Sequence, residues 1–407
     1  MSSIQDKFAT LGTDYAPGQE VRQSGGVPDV TLVGTPLPGE PVDFSHGDVN
    51  GDAFAPTPGA LEEFIAGVHR GGQQAYTEYR GGDELRDQVA ERLGAFTRRS
   101  VSGASELIIT PGTQGALFLS LGATVQAGDR VAIVRPDYFA NRKLVEFLGG
   151  VVVPVPMDYL SRTEGAGLDL GQLEEAFGSG VRTFLFSNPN NPTGVVYAAE
   201  EIARIAELAT RYGVTVIVDQ LYSRLLYAGQ RYTHLRASSI DPSQVITIMG
   251  PSKTESLSGY RLGVACGAAH LIDRMEKLQA IVSLRAPGYS QSVLRTWFAE
   301  PEGWLQERIA RHEALRDRIL QRLRTVGGLA VRTPEAGSYL FPRLPRLRVP
   351  LHGFVQALRA QAGATVTPGT EFSPDATGSV RLNFSQHPER AVAAMGRMAQ
   401  LIDRYRS

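Results

Sequence analysis

The sequence predicts an α/β protein, with a mostly parallel seven-stranded sheet covered by helices on both faces and a smaller α+β domain after it. Seven short runs rich in valine and isoleucine are nearly continuous in hydrophobicity, which is typical of strands buried on both faces. Amphipathic stretches of helical period separate these runs, and strand–helix alternation of this kind favours a parallel sheet. The seven predicted strands cover residues 106–110, 130–134, 151–155, 182–187, 214–219, 245–249 and 262–266.

The pattern changes at about residue 290. Two long charged helices are predicted over 290–300 and 302–326, separated by Pro301, because proline lacks the backbone N–H that a helix interior needs. Short strands and further helices then alternate, which indicates a small α+β domain. These elements are the strands 337–344 and 379–384 and the helices 351–362 and 388–406.

The chain divides by composition into three predicted parts. A length of 407 residues allows two or three domains. The first 40 residues are rich in glycine, proline and polar residues, which is typical of an arm rather than a core element. We therefore expect an arm and part of the small domain in residues 1–70, a large domain in 71–295 and a C-terminal small domain in 296–407.

Composition also narrows the class of protein. Lysine and arginine number 41 and the acids 42, so the net charge is −1 and the chain lacks the basic excess that binding a nucleic-acid backbone requires. The single cysteine, Cys266, excludes an internal disulfide framework and fits a reducing compartment. No secretory signal and no membrane span is recognisable. We expect a cytoplasmic protein with no nucleic-acid or membrane partner.

Polar residues follow five of the predicted strands at their carboxyl ends, where open α/β sheets bind ligands. Gly112 and Thr113 open a helix after the first strand, and the free backbone N–H groups of such a turn form an anion site. No strand end is diagnostic by itself, but together they predict a binding site. The other polar groups at these ends are 136–138, the turn 188–194, Asp219 with Tyr222, and Ser252-Lys253 with Arg261.

Four motifs resemble those of a known family. The segment from Ser252-Lys253 through Arg261 to Gly263 resembles the lysine signature of the class I/II aminotransferases, the fold-type-I pyridoxal-phosphate enzymes of the aspartate aminotransferase superfamily. The motifs stand in the family's order between Gly47 and Arg381, which makes the resemblance specific. The other three are the Asn-Pro-Thr-Gly turn within 188–194, the Asp-x-x-Tyr pair of Asp219 and Tyr222, and the tyrosine–glycine element that begins at Tyr76 and includes Gly81 and Arg86.

The resemblance implies that the large domain binds pyridoxal 5′-phosphate, and it assigns residues to the cofactor's ring. Lys253 would form the Schiff base with the aldehyde and, once freed, move a proton at the substrate's α-carbon. Asp219 would keep the pyridinium nitrogen protonated. Asn191 and Tyr222 would bond the phenolic oxygen, and Tyr138 would stack on the ring.

The resemblance also implies a phosphate site, a substrate site and a homodimer with shared active sites. Tyr76 would reach the phosphate from the neighbouring subunit, with Tyr79 as a competing assignment. Arg381 would clamp the substrate's α-carboxylate with its guanidinium fork, and Asn191 and the backbone at Gly47 would line the substrate pocket. The implied phosphate ligands are Gly112, Thr113, Gln114, Ser252 and Arg261.

Four residues depart from the family's pattern or lie beside it. Gly250 stands where some members carry serine, which predicts the loss of one contact with the phosphate or the lysine. Gln220 stands where many members have an acid. His46 is either a pocket residue or a satisfied histidine. Arg285 either binds a second, acidic group of the substrate or is a surface arginine.

The implied activity is the transfer of an amino group from an L-amino acid to a 2-oxo acid by a ping-pong Schiff-base mechanism. Elimination, cyclisation or oxidation of an amino acid on the same cofactor stays open, because fold and cofactor do not fix the reaction.

The sequence does not match the motifs of three other kinds of binding site. Thr247 and Ser252 stand where a P-loop needs glycine, Leu170 breaks a dinucleotide fingerprint, and the histidines show no metal-ligand spacing.

Overall fold

The computed structural model describes residues 8–9 and 30–407, and the strands in this part of the chain form one large sheet and two small ones. In chain order the strands are β1 Val42–Asp43, β2 Leu107–Pro111, β3 Arg130–Arg135, β4 Val151–Pro156, β5 Thr183–Ser187, β6 Thr215–Asp219, β7 Val245–Met249, β8 Leu262–Gly267, β9 Tyr339–Leu340, β10 Ala364–Thr365, β11 Thr367–Pro368 and β12 Val380–Asn383.

The α-helices make up most of the remaining regular secondary structure. Among the residues described, none of them is both long and apolar enough to cross a membrane. The α-helices are α1 Ala60–His69, α2 Gly72–Ala75, α3 Asp83–Thr97, α4 Gly112–Thr124, α5 Phe139–Phe147, α6 Leu170–Gly178, α7 Ala199–Tyr212, α8 Ala269–Val282, α9 Gly288–Gln291, α10 Trp304–Leu323, α11 Leu351–Ala357 and α12 Pro388–Tyr405.

The large sheet confirms the predicted fold class. Its strand order is β2-β8-β7-β6-β5-β3-β4, and only β8 runs antiparallel to its neighbours. Two separate hydrophobic cores cover the two faces, one with α4, α5 and α8 and the other with α6 and α7. Each of the seven strands begins and ends within one residue of its predicted bounds, because continuous apolar runs in this chain coincide with strands that are buried on both faces.

The predicted helix over 290–300 is wrong. The structure has the short helix α9 followed by a 3₁₀ turn over Ser292–Thr296, and Trp297 then leaves the helical region with φ −71° and ψ 126°. The Arg92 guanidinium accounts for the break, since its NH1 donates to the carbonyl oxygens of Leu294, Arg295 and Trp297 at 3.3, 2.9 and 2.8 Å. The Leu294 carbonyl also accepts from the Trp297 N–H at 3.2 Å, which is an i→i+3 bond of the 3₁₀ type rather than the i→i+4 bond of an α-helix.

The second charged helix and the small-domain elements are present with altered bounds. Helix α10 starts at Trp304, after Gly303 with φ +82°, rather than at residue 302. The predicted strand over 337–344 shrinks to β9 because Pro342 cannot donate to a ladder. The predicted helix over 351–362 ends in a π-helical turn at Leu358–Ala362.

A further core lies between α10, α12 and the small sheets, and part of the N-terminal arm packs on it. The Val33 N–H donates to the Tyr405 hydroxyl at 2.8 Å, and the Gln361 amide donates to the Gly34 carbonyl at 2.8 Å. Most of the predicted arm, residues 1–7 and 10–29, lies outside the described part of the chain. The division into 1–70, 71–295 and 296–407 stays a prediction.

Candidate active site

A cavity of about 640 Å³ opens at the carboxyl ends of the central strands. The size is within the usual range for small-molecule sites. Most of the residues that the sequence singled out lie on it, while Gly112 packs directly behind its wall and Tyr76 lies elsewhere. The predicted residues that line the cavity are Gly47, Thr113, Gln114, Tyr138, Asn191, Asp219, Tyr222, Ser252, Lys253, Arg261 and Arg381.

One end of the cavity is built to hold an anion. Helix α4 begins there, and among the residues described no side chain caps its first N–H groups. Thr113 and Gln114 of its first turn line the wall. In the described part of the chain, the Ser252 hydroxyl is buried without a hydrogen-bond partner. The Arg261 guanidinium faces the same space. Uncapped amides, an orphaned hydroxyl and a guanidinium together fit a phosphate group.

Three glycines let the chain close around this anion site. Gly112 has φ +75°, and a Cβ there would lie 2.5 Å from the Arg261 guanidinium. A Cβ on Gly263 would lie 2.3 Å from the Gly112 backbone. A Cβ on Gly250 would lie 2.8 Å from the Thr113 methyl group. The Thr113 side chain therefore explains why position 250 is glycine here, because it occupies the space that a side chain at 250 would need.

Asp219 ends β6 at the floor of the cavity. Burial raises the pKa of its carboxyl from 3.8 to about 6, while the hydrogen bond from the Leu221 N–H acts in the opposite direction. No cation from the described chain offsets that burial. A protonated ring nitrogen would supply the missing positive charge, so the carboxyl fits a pyridinium partner.

Asp137 anchors two predicted cofactor residues. Its carboxylate accepts from the Tyr138 N–H at 2.6 Å and from the Ser187 hydroxyl at 2.7 Å, and that hydroxyl in turn accepts from the Asn191 N–H at 3.0 Å. Burial raises the Asp137 pKa to about 7. The Tyr138 hydroxyl bonds the Gln114 side chain at 3.2 Å, which ties the aromatic ring to the anion site.

Lys253 lies opposite Gly47. Its ammonium donates to the Gly47 carbonyl oxygen at 2.7 Å. A Cβ on Gly47 would lie 3.0 Å from the Lys253 Nζ, so glycine leaves the lysine room to move at this point.

Arg381 reaches the cavity from β12 of the small sheet. Its NH1 donates to the Asn191 side chain at 3.1 Å and its NH2 to the Ser45 carbonyl at 2.7 Å, while Nε is buried and has no partner among the residues described. The guanidinium also lies 4.4 Å from the centroid of the Tyr339 ring. A planar fork held at the cavity edge is suited to a carboxylate.

Tyr339 is a cavity residue that the sequence analysis missed. It is buried, lines the cavity and has its hydroxyl 2.8 Å from the Tyr222 hydroxyl. Burial and the neighbouring Tyr339 raise the Tyr222 pKa well above its ordinary value. No motif marks Tyr339; only the pairing of β9 with β12 brings it beside Arg381.

The wall formed by α5 was also missed, although the signal was present in the sequence. The cavity-lining residues of this helix recur with helical period on one face, directly after a strand end. Lys143 on this face is paired with Glu371 at 2.8 Å. The residues of α5 that line the cavity are Phe139, Ala140, Lys143, Leu144 and Phe147.

Tyr76, predicted to reach a phosphate, and three residues that depart from the family's pattern or lie beside it have separate surroundings. Tyr76 is 70% exposed, and the Arg285 guanidinium stacks 3.4 Å from its ring centroid, with Tyr79 5.0 Å away on the same guanidinium. His46 lines the cavity and lies 3.4 Å from Asp43. Gln220 is buried and bonds His234 at 3.0 Å, so it faces away from the ligands named above.

Comparison with known proteins agrees with this geometry. The profile of the family "Aminotransferase class I and II" matches residues 40–395. An aspartate aminotransferase from Sulfurisphaera tokodaii is 30% identical over 341 residues, which cover 82% of this chain and 83% of that protein.

Two solved structures show the same relationship in three dimensions. An aspartate aminotransferase from Rhodobacter sphaeroides, known from its crystal structure, is 62% identical in sequence to this chain. The superposition covers 100% of both chains and has a TM-score of 0.94. An aromatic aminotransferase from Pyrococcus horikoshii is 25% identical with a TM-score of 0.80, covering 89% of this chain and 96% of that one. This chain is therefore a transaminase and belongs to the class I and II aminotransferases, a family of pyridoxal-phosphate enzymes of fold type I.

Proposed function

We propose that this transaminase holds pyridoxal 5′-phosphate on Lys253 and transfers the amino group of an L-amino acid to a 2-oxo acid in two half-reactions. The observation that carries the proposal is the convergence of Lys253, Asp219 and Arg381 on one cavity. An amine, a buried carboxylate and a guanidinium fork are the three groups that this chemistry requires from the protein.

The cofactor supplies an electron sink for the carbanion that forms at the substrate's α-carbon. Its phosphate would lie at the start of α4, and Asp219 would pair with its ring nitrogen. Tyr138 would cover one ring face, and Asn191 and Tyr222 would bond the phenolic oxygen. The proposed phosphate ligands are Gly112, Thr113, Gln114, Ser252 and Arg261.

The Lys253 amine would take the proton from the α-carbon and return it on the cofactor side. The Gly47 carbonyl that it now bonds would keep it at the cavity edge when it is free. Arg381 would release its bonds to Asn191 and Ser45 partly or wholly to bind the α-carboxylate. Its Nε, for which the described residues supply no hydrogen-bond partner, is available for the same group.

We propose a homodimer that contacts through α1, the end of α8 and the loop around Tyr76. These elements expose large apolar side chains, including Leu61 at 59% and Ile281 at 82%. Exposed apolar patches of this kind are more typical of protein–protein interfaces than of the surface of a monomer. Tyr76 on that surface would then reach the phosphate site of the second subunit. We also propose a cytoplasmic location, because a single cysteine, Cys266, cannot form the internal disulfides that are typical of oxidising compartments.

The substrate pair that the relatives' names suggest is aspartate with a 2-oxo acid. Reconstituted enzyme should be mixed with single L-amino acids, without an acceptor, while the absorption of the bound cofactor is followed and the product is identified by mass spectrometry. A stoichiometric amount of 2-oxo acid and conversion of the cofactor to its amine form are expected. Repeated turnover without an acceptor would contradict transamination.

A further inference from the structure

Tyr339 is a buried cavity residue to which the family's motifs assign no role. Its hydroxyl lies 2.8 Å from that of Tyr222, and the two rings meet edge to face at 5.4 Å and 72°. The hydroxyl is part of a short polar contact inside an otherwise buried pair of aromatic rings.

The contact joins two sheets. Tyr339 lies on β9 and pairs with Asn383 of β12, so it belongs to the small sheet that also carries Arg381. Tyr222 follows β6 of the central sheet. A second turn supports the contact, because the Tyr227 hydroxyl donates to the Gly337 carbonyl at 2.5 Å and a Cβ on Gly337 would lie 3.4 Å from the Tyr222 ring.

The Tyr339 hydroxyl is also close to the lysine. A Cβ built on Gly47 would lie 3.3 Å from the Tyr339 hydroxyl and 3.0 Å from the Lys253 Nζ. Both groups therefore flank the same point of the backbone, and Tyr222, Tyr339 and Lys253 line one side of the cavity.

The number of hydroxyl protons determines which of the two tyrosines donates and which accepts. Each tyrosine hydroxyl has one proton to donate and can also accept. In the structure the Tyr222 hydroxyl donates to that of Tyr339, and this bond contributes to the raised Tyr222 pKa. When the Tyr222 proton points into the cavity instead, the contact between the two hydroxyls persists only if Tyr339 donates to Tyr222. Donation into the Tyr222 oxygen polarises its O–H bond and makes it a stronger donor.

Building on the proposed attachment of the cofactor to Lys253, we propose that Tyr339 is a positioning residue that acts through Tyr222, strengthening the hydrogen bond that Tyr222 donates to the phenolic oxygen. A stronger donor there withdraws charge from the phenolic oxygen and disfavours the proton on the neighbouring Lys253 linkage. Tyr339 thereby keeps that linkage less basic than Tyr222 alone would.

The test is a pH titration of the visible absorption band of the reconstituted enzyme. In Tyr339→Phe the midpoint should rise by at least about half a pH unit, because the donor to Tyr222 is lost. The KM for the amino donor should change by less than about twofold, because the phenyl ring that faces Arg381 at 4.4 Å is kept. Tyr339→Leu removes the ring as well and should raise that KM further.

Tyr159→Phe is the matched control. Tyr159 is a buried tyrosine whose hydroxyl donates to the Phe341 carbonyl at 3.1 Å, and it is not among the residues that line the cavity. The titration midpoint of the Tyr159→Phe enzyme should therefore equal that of the wild type. A double-mutant cycle of Tyr222→Phe, Tyr339→Phe and the double variant shows whether Tyr339 acts through the Tyr222 hydroxyl or directly on the Lys253 linkage. The midpoint shift caused by Tyr339→Phe should vanish in the Tyr222→Phe background.

A Tyr339→Phe enzyme that titrates like the wild type would overturn the inference, as would a full shift that persists without the Tyr222 hydroxyl. Both results leave the proposed function intact, because the band itself reports attachment of the cofactor. Absence of the band in the wild-type protein would refute the proposed function and this inference together.

Discussion

Replacing Gly250 by alanine should weaken cofactor binding through a single steric contact. The added Cβ would lie 2.8 Å from the Thr113 methyl, 3.1 Å from the Leu262 carbonyl oxygen and 3.3 Å from the Gly263 Cα. The first distance is well inside van der Waals contact, and overpacking of this kind costs about 1–3 kcal/mol. If the strain falls on the start of α4, the dissociation constant for pyridoxal phosphate should rise about 5- to 150-fold.

The assay is equilibrium titration of apoenzyme with the cofactor, with the melting temperature of the apoenzyme measured alongside. Thr113→Ser removes the clashing methyl and keeps the hydroxyl, so adding it to Gly250→Ala should restore part of the affinity. Gly259→Ala is the control and should bind normally, because it lies in the same loop but no atom of the described residues comes within 4 Å of its Cβ. Equal affinity for wild type and Gly250→Ala would refute the packing argument, and a double variant no better than Gly250→Ala would assign the strain to the backbone contacts instead.

Three further predictions concern charges at the site. Asp219→Asn should lower kcat at least about 100-fold while the protein stays folded, because a neutral amide cannot hold the ring nitrogen protonated; near-normal turnover would remove Asp219 from the proposal. Arg381→Lys should lower kcat/KM for the amino donor about 10- to 100-fold, mainly through KM, since a point charge replaces a two-pronged donor, and an unchanged KM would argue against carboxylate binding there. Burial raises the Asp137 pKa from 3.8 to about 7, so the folded chain binds a proton that the unfolded chain has released, and the stability of the apoenzyme should fall as pH rises from about 4 to 7. Asp137→Asn should flatten that fall in a series of denaturant titrations, whereas an identical slope in both proteins would show that Asp137 titrates normally.

The strands and their polar ends were predictable from sequence because two physical rules act locally. Continuous apolar runs identify strands buried on both faces, and parallel strands bring their carboxyl ends to one edge of the sheet. Lys253, Asp219 and Asn191 are far apart in sequence but follow three neighbouring strands, so their convergence follows from topology alone.

The parts that sequence reasoning missed depend on contacts between distant segments. In sequence, Tyr339 looks like any strand tyrosine, and only the pairing of β9 with β12 brings it to the site. The helix predicted over 290–300 is broken by Arg92, which lies about two hundred residues earlier in the chain. The space at Gly250 is likewise set by Thr113. Such contacts leave no local periodicity or turn signature.

The ε-amino group of Lys253 is the atom on which the proposed chemistry depends, and borohydride reduction tests it directly. The purified protein, loaded with pyridoxal phosphate, should be reduced, digested and mapped by mass spectrometry. One cofactor-sized mass increase per chain, on the peptide that contains Lys253, is the expected result, and it should disappear in Lys253→Ala. A label on another lysine, or none in protein that binds the cofactor, would contradict the assignment.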